Sequence, residues 1–480
     1  MSASPQQLVE EVSSSSTSSI ESAPSRLKSR LLNLFAPAQA PYNLAIFRIF
    51  LFASFLFAPE LYLSPKYAAL PTRLMNQDPG IHWLVSCLPV NEATAQLVLP
   101  LLIISCVAAS IGLFTRFSTV VAVLLGTYAF GLRELCGQVN HTNNHLIYFA
   151  AILALSPCAD ALSVDSFLKK RGKGNSEEPF NSRMYSLPLR LCWLMLGTIY
   201  FFPGIWKLNL VGLKFAFSDN FARLIYKAEC QSGGHWHPLF PIYNYPLVCQ
   251  LGALSVMLFE IGFVFLVFVP VLRVLMAAAG MMFHTMTVFF LNIRFIILQF
   301  SYVALIDWHR LCQRYGKRFL PAALTQPVTR TVPAKLHQLA PMLIVGLSMF
   351  AVNCYFGVNR IHSGWPFACY PIFCAIPADT MMMMNVEATD KNGNLLNVRP
   401  AQHMLSERQI PTPPRSHHTA AGKANQVRWF QTLWDKYVAA DPSLAGATTV
   451  RLYEDTLNIL PEHRKDNPIK RNLLVELKPQ

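Results

Sequence analysis

The stretch Leu191-Cys-Trp-Leu-Met-Leu-Gly-Thr-Ile-Tyr-Phe-Phe-Pro-Gly-Ile-Trp-Lys207 carries no charge until its last residue. At 1.5 Å per residue, a helix of about 20 such residues crosses the roughly 30 Å hydrocarbon core of a bilayer. The sequence therefore predicts a membrane span over 188–208 that ends on a lysine. Comparable runs fall near 44–63, 95–114, 117–135, 145–163, 249–270, 273–291 and 339–357, with a shorter one near 294–308. Together they make about nine spans. Composition agrees: 53% of the 480 residues are hydrophobic and only 14% are charged, where a soluble domain has about a quarter charged. Mean hydropathy is +0.33.

The loops between these runs set an expected orientation, because Lys and Arg in short loops favour the cytoplasmic side. Arg26, Lys28 and Arg30, then Arg116, then Lys169-Lys170-Arg171 with Lys173, then Arg273, then Arg310, Arg314, Lys317 and Arg318 fall in alternate loops. This places the N-terminus in the cytoplasm and the chain after about residue 358 on the exterior (periplasmic, extracellular or lumenal) side. The formal charge of +14 then reflects topology and contact with anionic lipid, and no nucleic-acid partner is expected. Residues 1–35 are polar, with the run Ser13-Ser14-Ser15-Ser16, and read as a disordered tail rather than a cleavable signal. In an oxidising exterior Cys230 and Cys249, or Cys369 and Cys374, could each form a disulfide, a connectivity that spacing leaves open. No metal-binding spacing, phosphate-binding glycine loop or Gly-x-Ser-x-Gly is present, and no metal is expected.

Three sets of polar residues interrupt the apolar runs, and polar groups at membrane depth need a partner, a cavity or a function. Asn144 and His145 open the fourth predicted span, Lys207 closes the fifth, and His284 lies in the outer part of the seventh, so all share the outer half of the membrane. Tyr200, Gly204 and Lys207 follow an i, i+4, i+7 pattern and lie on one helical face. Gly204 admits a ligand or a neighbouring helix beside the lysine, and Pro203 cannot donate to the carbonyl of Ile199. Glu260, midway along the sixth span, is either protonated or paired across helices with a histidine or lysine. Each also has a simpler reading: Lys207 snorkelling to the interface, His145 as an interfacial residue, and His284 and Glu260 in hydrogen bonds that fix packing. The run Met381 to Met384 reads as an apolar packing patch.

Residues 361–480 read as an exterior α+β domain. Trp365-Pro-Phe-Ala-Cys-Tyr-Pro-Ile-Phe373 suits the membrane interface. A strand from Met384 to Thr389, the turn Asp390-Lys-Asn-Gly393 and Leu395-Leu-Asn-Val398 suggest a hairpin. A loop over 400–425, a helix from Asn425 to Ala440 through Val427, Phe430, Leu433, Trp434 and Val438, and a strand Thr448–Tyr453 follow. The expected fold class is thus an all-α polytopic membrane protein with a small α+β C-terminal extramembrane domain.

Over roughly residues 36–360 the chain resembles the integral-membrane region of the vitamin K-dependent gamma-carboxylases and the wider horizontally transferred transmembrane (HTTM) domain family. The resemblance rests on Asn143-Asn144-His145-Leu-Ile-Tyr148 followed by Pro157 and Ser163-Val-Asp165, on Tyr200-x-x-x-Gly204-x-x-Lys207-Leu208, on Glu260 followed by Gly262-Phe263, and on Phe283-His284. It implies that Lys207 is the base that deprotonates a reduced quinone, with Asn144, His145 and His284 forming its pocket and Tyr200, Gly204 and Glu260 around the cofactor. It also implies O2 and CO2 as co-substrates, proton abstraction coupled to oxygenation, carboxylation of a protein or peptide presented on the exterior side, and entry of the quinone from membrane lipid. A quinol-dependent enzyme and a non-catalytic lipid binder or transporter on the same helical scaffold both remain open at this point. The shared depth of the polar groups favours the enzyme.

Overall fold

The computed structural model describes residues 35–75, 87–135, 142–173, 178–361, 364–367, 374–400 and 420–479, with Asn33 and Trp83 besides. The chain is mostly helical, with a small four-stranded sheet near its C-terminus. Most of the N-terminal tail, Cys369 and the loop over 401–419 lie outside the described residues.

The helices are α1 (Tyr42–Leu56), α2 (Pro59–Ala68), α3 (Glu92–Ile111), α4 (Thr115–Glu134), α5 (Asn144–Ala154), α6 (Val164–Lys173), α7 (Arg183–Val211), α8 (Asn220–Gln231), α9 (Pro246–Leu266) and α10 (Pro270–Leu291). After them come α11 (Ile296–Gln299, extended by a 3-10 turn to Leu305), α12 (Trp308–Tyr315), α13 (Ala322–Thr325), α14 (Leu336–Val358) and α15 (Ala420–Ala440). Six of these, α3, α4, α7, α9, α10 and α14, are long and apolar enough to cross a membrane. The pair α1 and α2 makes a seventh candidate, bent by 43° at the break before Pro59. These long apolar helices are compatible with a multi-pass membrane protein.

Two of the expected spans are shorter than the sequence suggested. The run 145–163 is helical only from Asn144 to Ala154. Pro157 lacks an amide hydrogen and pushes the residue before it out of helical geometry, so the helix stops ahead of it. The run 294–308 becomes the short α11 and its 3-10 turn. The second nevertheless runs from the His284 level to the opposite end of the bundle. After α10 the chain returns with Phe295 against His284, 5.3 Å between ring centroids. It goes on to Ala304, whose carbonyl accepts from Trp193 Nε1 at 3.0 Å, and then to Asp307, which accepts from Asn43 Nδ2 at 3.0 Å.

One end of the bundle holds the starts of α1, α4, α7 and α10 together with α6 and α12, and so gathers Arg116, Lys169, Lys170, Arg171, Arg310 and Arg314. We call it the basic end. Arg48 fastens it, its guanidinium donating to the carbonyls of Cys158 at 2.6 Å and Leu162 at 2.5 Å. The opposite end carries the C-terminal domain.

In that domain β1 (Thr380–Thr389), β2 (Leu395–Leu396), β3 (Thr449–Asn458) and β4 (Lys470–Leu477) form an antiparallel sheet in the order β2-β1-β3-β4. The hairpin closes as the sequence indicated, with Thr389 opposite Leu395 and Gly393 at a positive φ of 84°. Methionines 381–384 are successive residues of β1 and pack only in part: Met384 lies against the core, Met381 and Met383 are half-buried, and Met382 is 69% exposed. α15 begins earlier than expected, and Trp429, Phe430, Leu433, Trp434 and Tyr437 are its buried residues, while Val427 is exposed. The sheet end is tied to the helices by Arg464, which donates to Glu229 at 2.7 Å, and by an ion pair between Arg223 and Asp379. Cys230 and Cys249 are not joined. Both are free thiols, Cys249 donating to the carbonyl of Ile242 at 3.3 Å.

Candidate functional site

A cavity of about 380 Å3 lies between α7, α9 and α10, toward the end that carries the sheet. Its walls are overwhelmingly apolar, and the polar groups that reach them are few: His145, Tyr200, Lys207, Asn220, Ser255, Glu260, His284 and Thr287. Such a balance of shape-giving apolar surface and sparse polar anchors is what small-molecule sites show, at volumes of about 300–1,000 Å3.

Lys207 sits in the last turns of α7 and is only 3% exposed. Its ammonium does not snorkel. It donates to both oxygens of Glu260, at 2.5 and 2.6 Å, and Glu260 is itself 4% exposed. Of the alternatives left open for Glu260, the structure selects pairing with a lysine. Gly204 makes the pair possible. A Cβ at that position would stand 2.9 Å from Glu260 Cβ and 3.1 Å from the Ile261 amide nitrogen, so the glycine admits the backbone of α9. Gly204 thus serves a neighbouring helix rather than a ligand, and it is not part of the cavity wall. Pro203 does line the cavity, together with Ile199, and α7 runs on through it.

On the same wall the Tyr200 hydroxyl lies 2.7 Å from His284 Nε2 and 2.5 Å from the Tyr302 hydroxyl. All three residues are buried. Gly280, one turn before His284 on α10, leaves the space that the Tyr302 hydroxyl occupies. A buried chain of hydroxyls and imidazole can relay or share a proton without exposing it to water. His145 enters the wall from α5, edge-on to Phe149 with ring centroids 5.9 Å apart. Asn144 is buried at the start of the same helix but does not line the cavity. The structure therefore gathers His145, Lys207, His284, Tyr200 and Glu260 around one space and leaves Asn144 and Gly204 behind it.

Two participants were not visible in the sequence. Asn220, the first residue of α8, is fully buried in the cavity wall; its Nδ2 donates to the Phe215 carbonyl at 3.2 Å. Its Oδ1 accepts no hydrogen bond among the described residues. An acceptor left open in this way calls for a donor from a ligand or water. Tyr302 comes from the return segment after α10. Neither stands out in the sequence, because Asn220 lies between the apolar runs and a tyrosine such as Tyr302 is an ordinary residue within one.

The cavity also reaches the outside of the bundle. Val248 on α9 and Met282 and Met286 on α10 line it and are at the same time 48%, 62% and 44% exposed. The opening therefore lies on an apolar flank between two helices, where lipid chains would meet it. No group of three or more His, Cys, Asp or Glu side chains among the described residues is placed to hold a metal ion. No family model matches the chain, and neither a curated protein nor a solved structure is significantly similar to it.

Proposed function

We propose that this is a membrane enzyme in which Lys207 acts as a base on a reduced, lipid-soluble quinone that enters between α9 and α10. The observation that carries the reading is a buried lysine, hydrogen-bonded to a buried carboxylate, in the wall of an apolar cavity that opens on an exposed apolar flank. In this reading the chain makes about nine passes, counting α5 and α11, with the N-terminus cytoplasmic and the C-terminal sheet exterior. A reduced quinone would supply a phenolic hydroxyl and the reducing equivalents for oxygen. The HTTM and gamma-carboxylase resemblance adds CO2 and a carbon acid on the exterior side.

Deprotonation requires a neutral amine, and the ion pair itself provides a route to one. In a dry site a proton shared along a short N–H···O bond can pass from Nζ to Glu260, leaving a neutral amine beside a neutral acid. Lys207 then accepts the phenolic proton, and the charge count of the site is unchanged because the anion formed replaces the lost carboxylate charge. Asn220 Oδ1 offers an acceptor to a ligand hydroxyl. The Tyr200, His284 and Tyr302 chain offers donors to a developing oxyanion, the kind of stabilisation that gains most where water is excluded.

A second reading is favoured by the same pair. Two hydrogen bonds from Lys207 to Glu260 also describe a helix clamp in a non-catalytic lipid binder or transporter. The two readings separate in variants. Lys207→Ala alone would strand a buried carboxylate and cost about 3–5 kcal/mol of stability whatever the function. Lys207→Gln with Glu260→Gln keeps a hydrogen-bonded pair without charge. We expect the double variant to unfold near the wild-type temperature yet oxidise reduced naphthoquinone in oxygen about 10²- to 10⁴-fold more slowly. Equal turnover in the double variant removes Lys207 as the base, and absence of turnover in the wild type with several quinones favours the clamp.

A further inference from the structure

A second cluster of charge lies at the basic end, well away from the lysine cavity. Arg190 on α7 is 7% exposed, with its guanidinium carbon 3.8 Å from the Trp193 ring centroid and 5.9 Å from that of Phe268. Arg273, in the first turn of α10 and half-buried, points at the same indole, 4.9 Å from its centroid. Neither guanidinium donates a hydrogen bond or joins an ion pair among the described residues, and Arg190 Nη1 and Arg273 Nε are both buried without a partner. The carboxylate whose charge reaches Arg273 is Asp307. That group is already engaged, accepting from Asn43 Nδ2 at 3.0 Å and capping α12 through the Arg310 amide at 3.2 Å.

Two like charges brought together away from water repel each other and lose hydration, and stacking on an aromatic face returns only part of that. A buried cation without a carboxylate or carbonyl partner is an incomplete site. What completes it must be anionic and must present several oxygens to two planar donor forks, which describes a phosphate group better than a carboxylate. The position matches as well. Arg273 stands three residues from the start of α10, at the level where lipid headgroups meet a span, and the loops around it carry further basic residues.

We propose that Arg190 and Arg273, set against Trp193, form a binding site for a phosphate or phosphodiester anion at the basic end of the bundle. A phospholipid headgroup and free inorganic phosphate share this chemistry. Arg273, being half-exposed, makes the first contact, and Arg190 supplies the desolvated charge that holds the anion.

The test is a thermal-unfolding titration of the full-length purified protein in detergent. It uses a short-chain phosphatidic acid, the matching diacylglycerol and sodium phosphate, on the wild type, Arg273→Gln and Arg190→Met. Saturable stabilisation by phosphatidic acid but not diacylglycerol, at least about tenfold weaker in Arg273→Gln, is the expected result and identifies a headgroup site. The same arginine dependence with sodium phosphate alone supports the site with a free anion as its occupant. Arg190→Met is the more buried change and can fail to fold, whereas Arg273→Gln alters a half-exposed side chain and keeps the test decisive. Equal stabilisation of the wild type and Arg273→Gln by phosphatidic acid, or no effect of either phosphate compound on the wild type, overturns the proposal.

Discussion

The carboxylate of Asp165 stands where α4 begins, accepting from the amides of Phe114 at 2.9 Å and Thr115 at 2.7 Å and from the Thr115 hydroxyl at 2.6 Å. Partial burial works against its charge, but the hydroxyl and amide donors, with Arg48 nearby, outweigh it and hold the carboxyl below its usual range. The sign follows from linkage. A group whose folded pKa is depressed stabilises the fold above its unfolded pKa of about 3.9 and loses that contribution as pH falls toward the folded value. Asp165→Ala should therefore cost about 1–2 kcal/mol at neutral pH, as for a lost helix cap. The gap between wild type and variant should begin to close near pH 4 and shrink further below it. Thermal unfolding of both proteins from pH 7 to pH 3 measures this, and a gap that holds constant throughout would show that the charge is not the source. At this scale the sequence was informative wherever a polar residue broke an apolar run: His145, Lys207, Glu260 and His284 all announced themselves in that way. It was silent on their pairing, because the partner of Lys207 is 53 residues away, a separation that no local spacing encodes.

Helix packing converts those isolated residues into a site, and small residues set the distances. Gly197 and Gly204, seven apart on α7, face Val264 and the Glu260–Ile261 backbone of α9, so the two helices approach closely along one stripe. Gly204→Val should push α9 away, because the backbone amide of Ile261 cannot yield as a side chain would. Overpacking of this kind costs about 1–3 kcal/mol. The variant should be less stable in detergent, and in the quinol assay it should lose more activity than Gly197→Ala. Comparable activity loss in the two would mean that the stripe sets stability alone. The long elements were legible because α3, α7, α9, α10 and α14 carry enough uninterrupted apolar residues to declare themselves. The lengths of α5 and α11 were not, because hydropathy counts apolar residues and does not register where Pro157 ends a helix or where a segment tightens into a 3-10 turn.

Across the whole molecule, the path of the chain rather than helix length decides how many times it changes sides. The return from His284 past Tyr302 to Trp193 and Asn43 carries the chain from the sheet end to the basic end through only a short helix. Non-helical backbone is tolerated at such depth only where protein covers it, and this segment is packed: Ile297, Leu298, Tyr302, Ala304 and Leu305 are all buried. The basic residues Arg116, Lys169, Lys170, Arg171, Arg310 and Arg314 gather at one end of the structure, which is the arrangement the positive-inside rule asks for if that end faces the cytoplasm. The consequence is a parity that can be measured. Between Gly172 and Gly393 lie α7, α9, α10, α11 and α14, an odd number of passes if α11 completes a crossing and an even number if it does not. Reporters fused after Gly172 and after Gly393 should fall on opposite sides of the membrane, with the first cytoplasmic. If both report the same side, α11 does not complete a crossing, the sheet lies on the same side as the basic loops, and an exterior substrate could not be presented to the lysine cavity from the C-terminal domain.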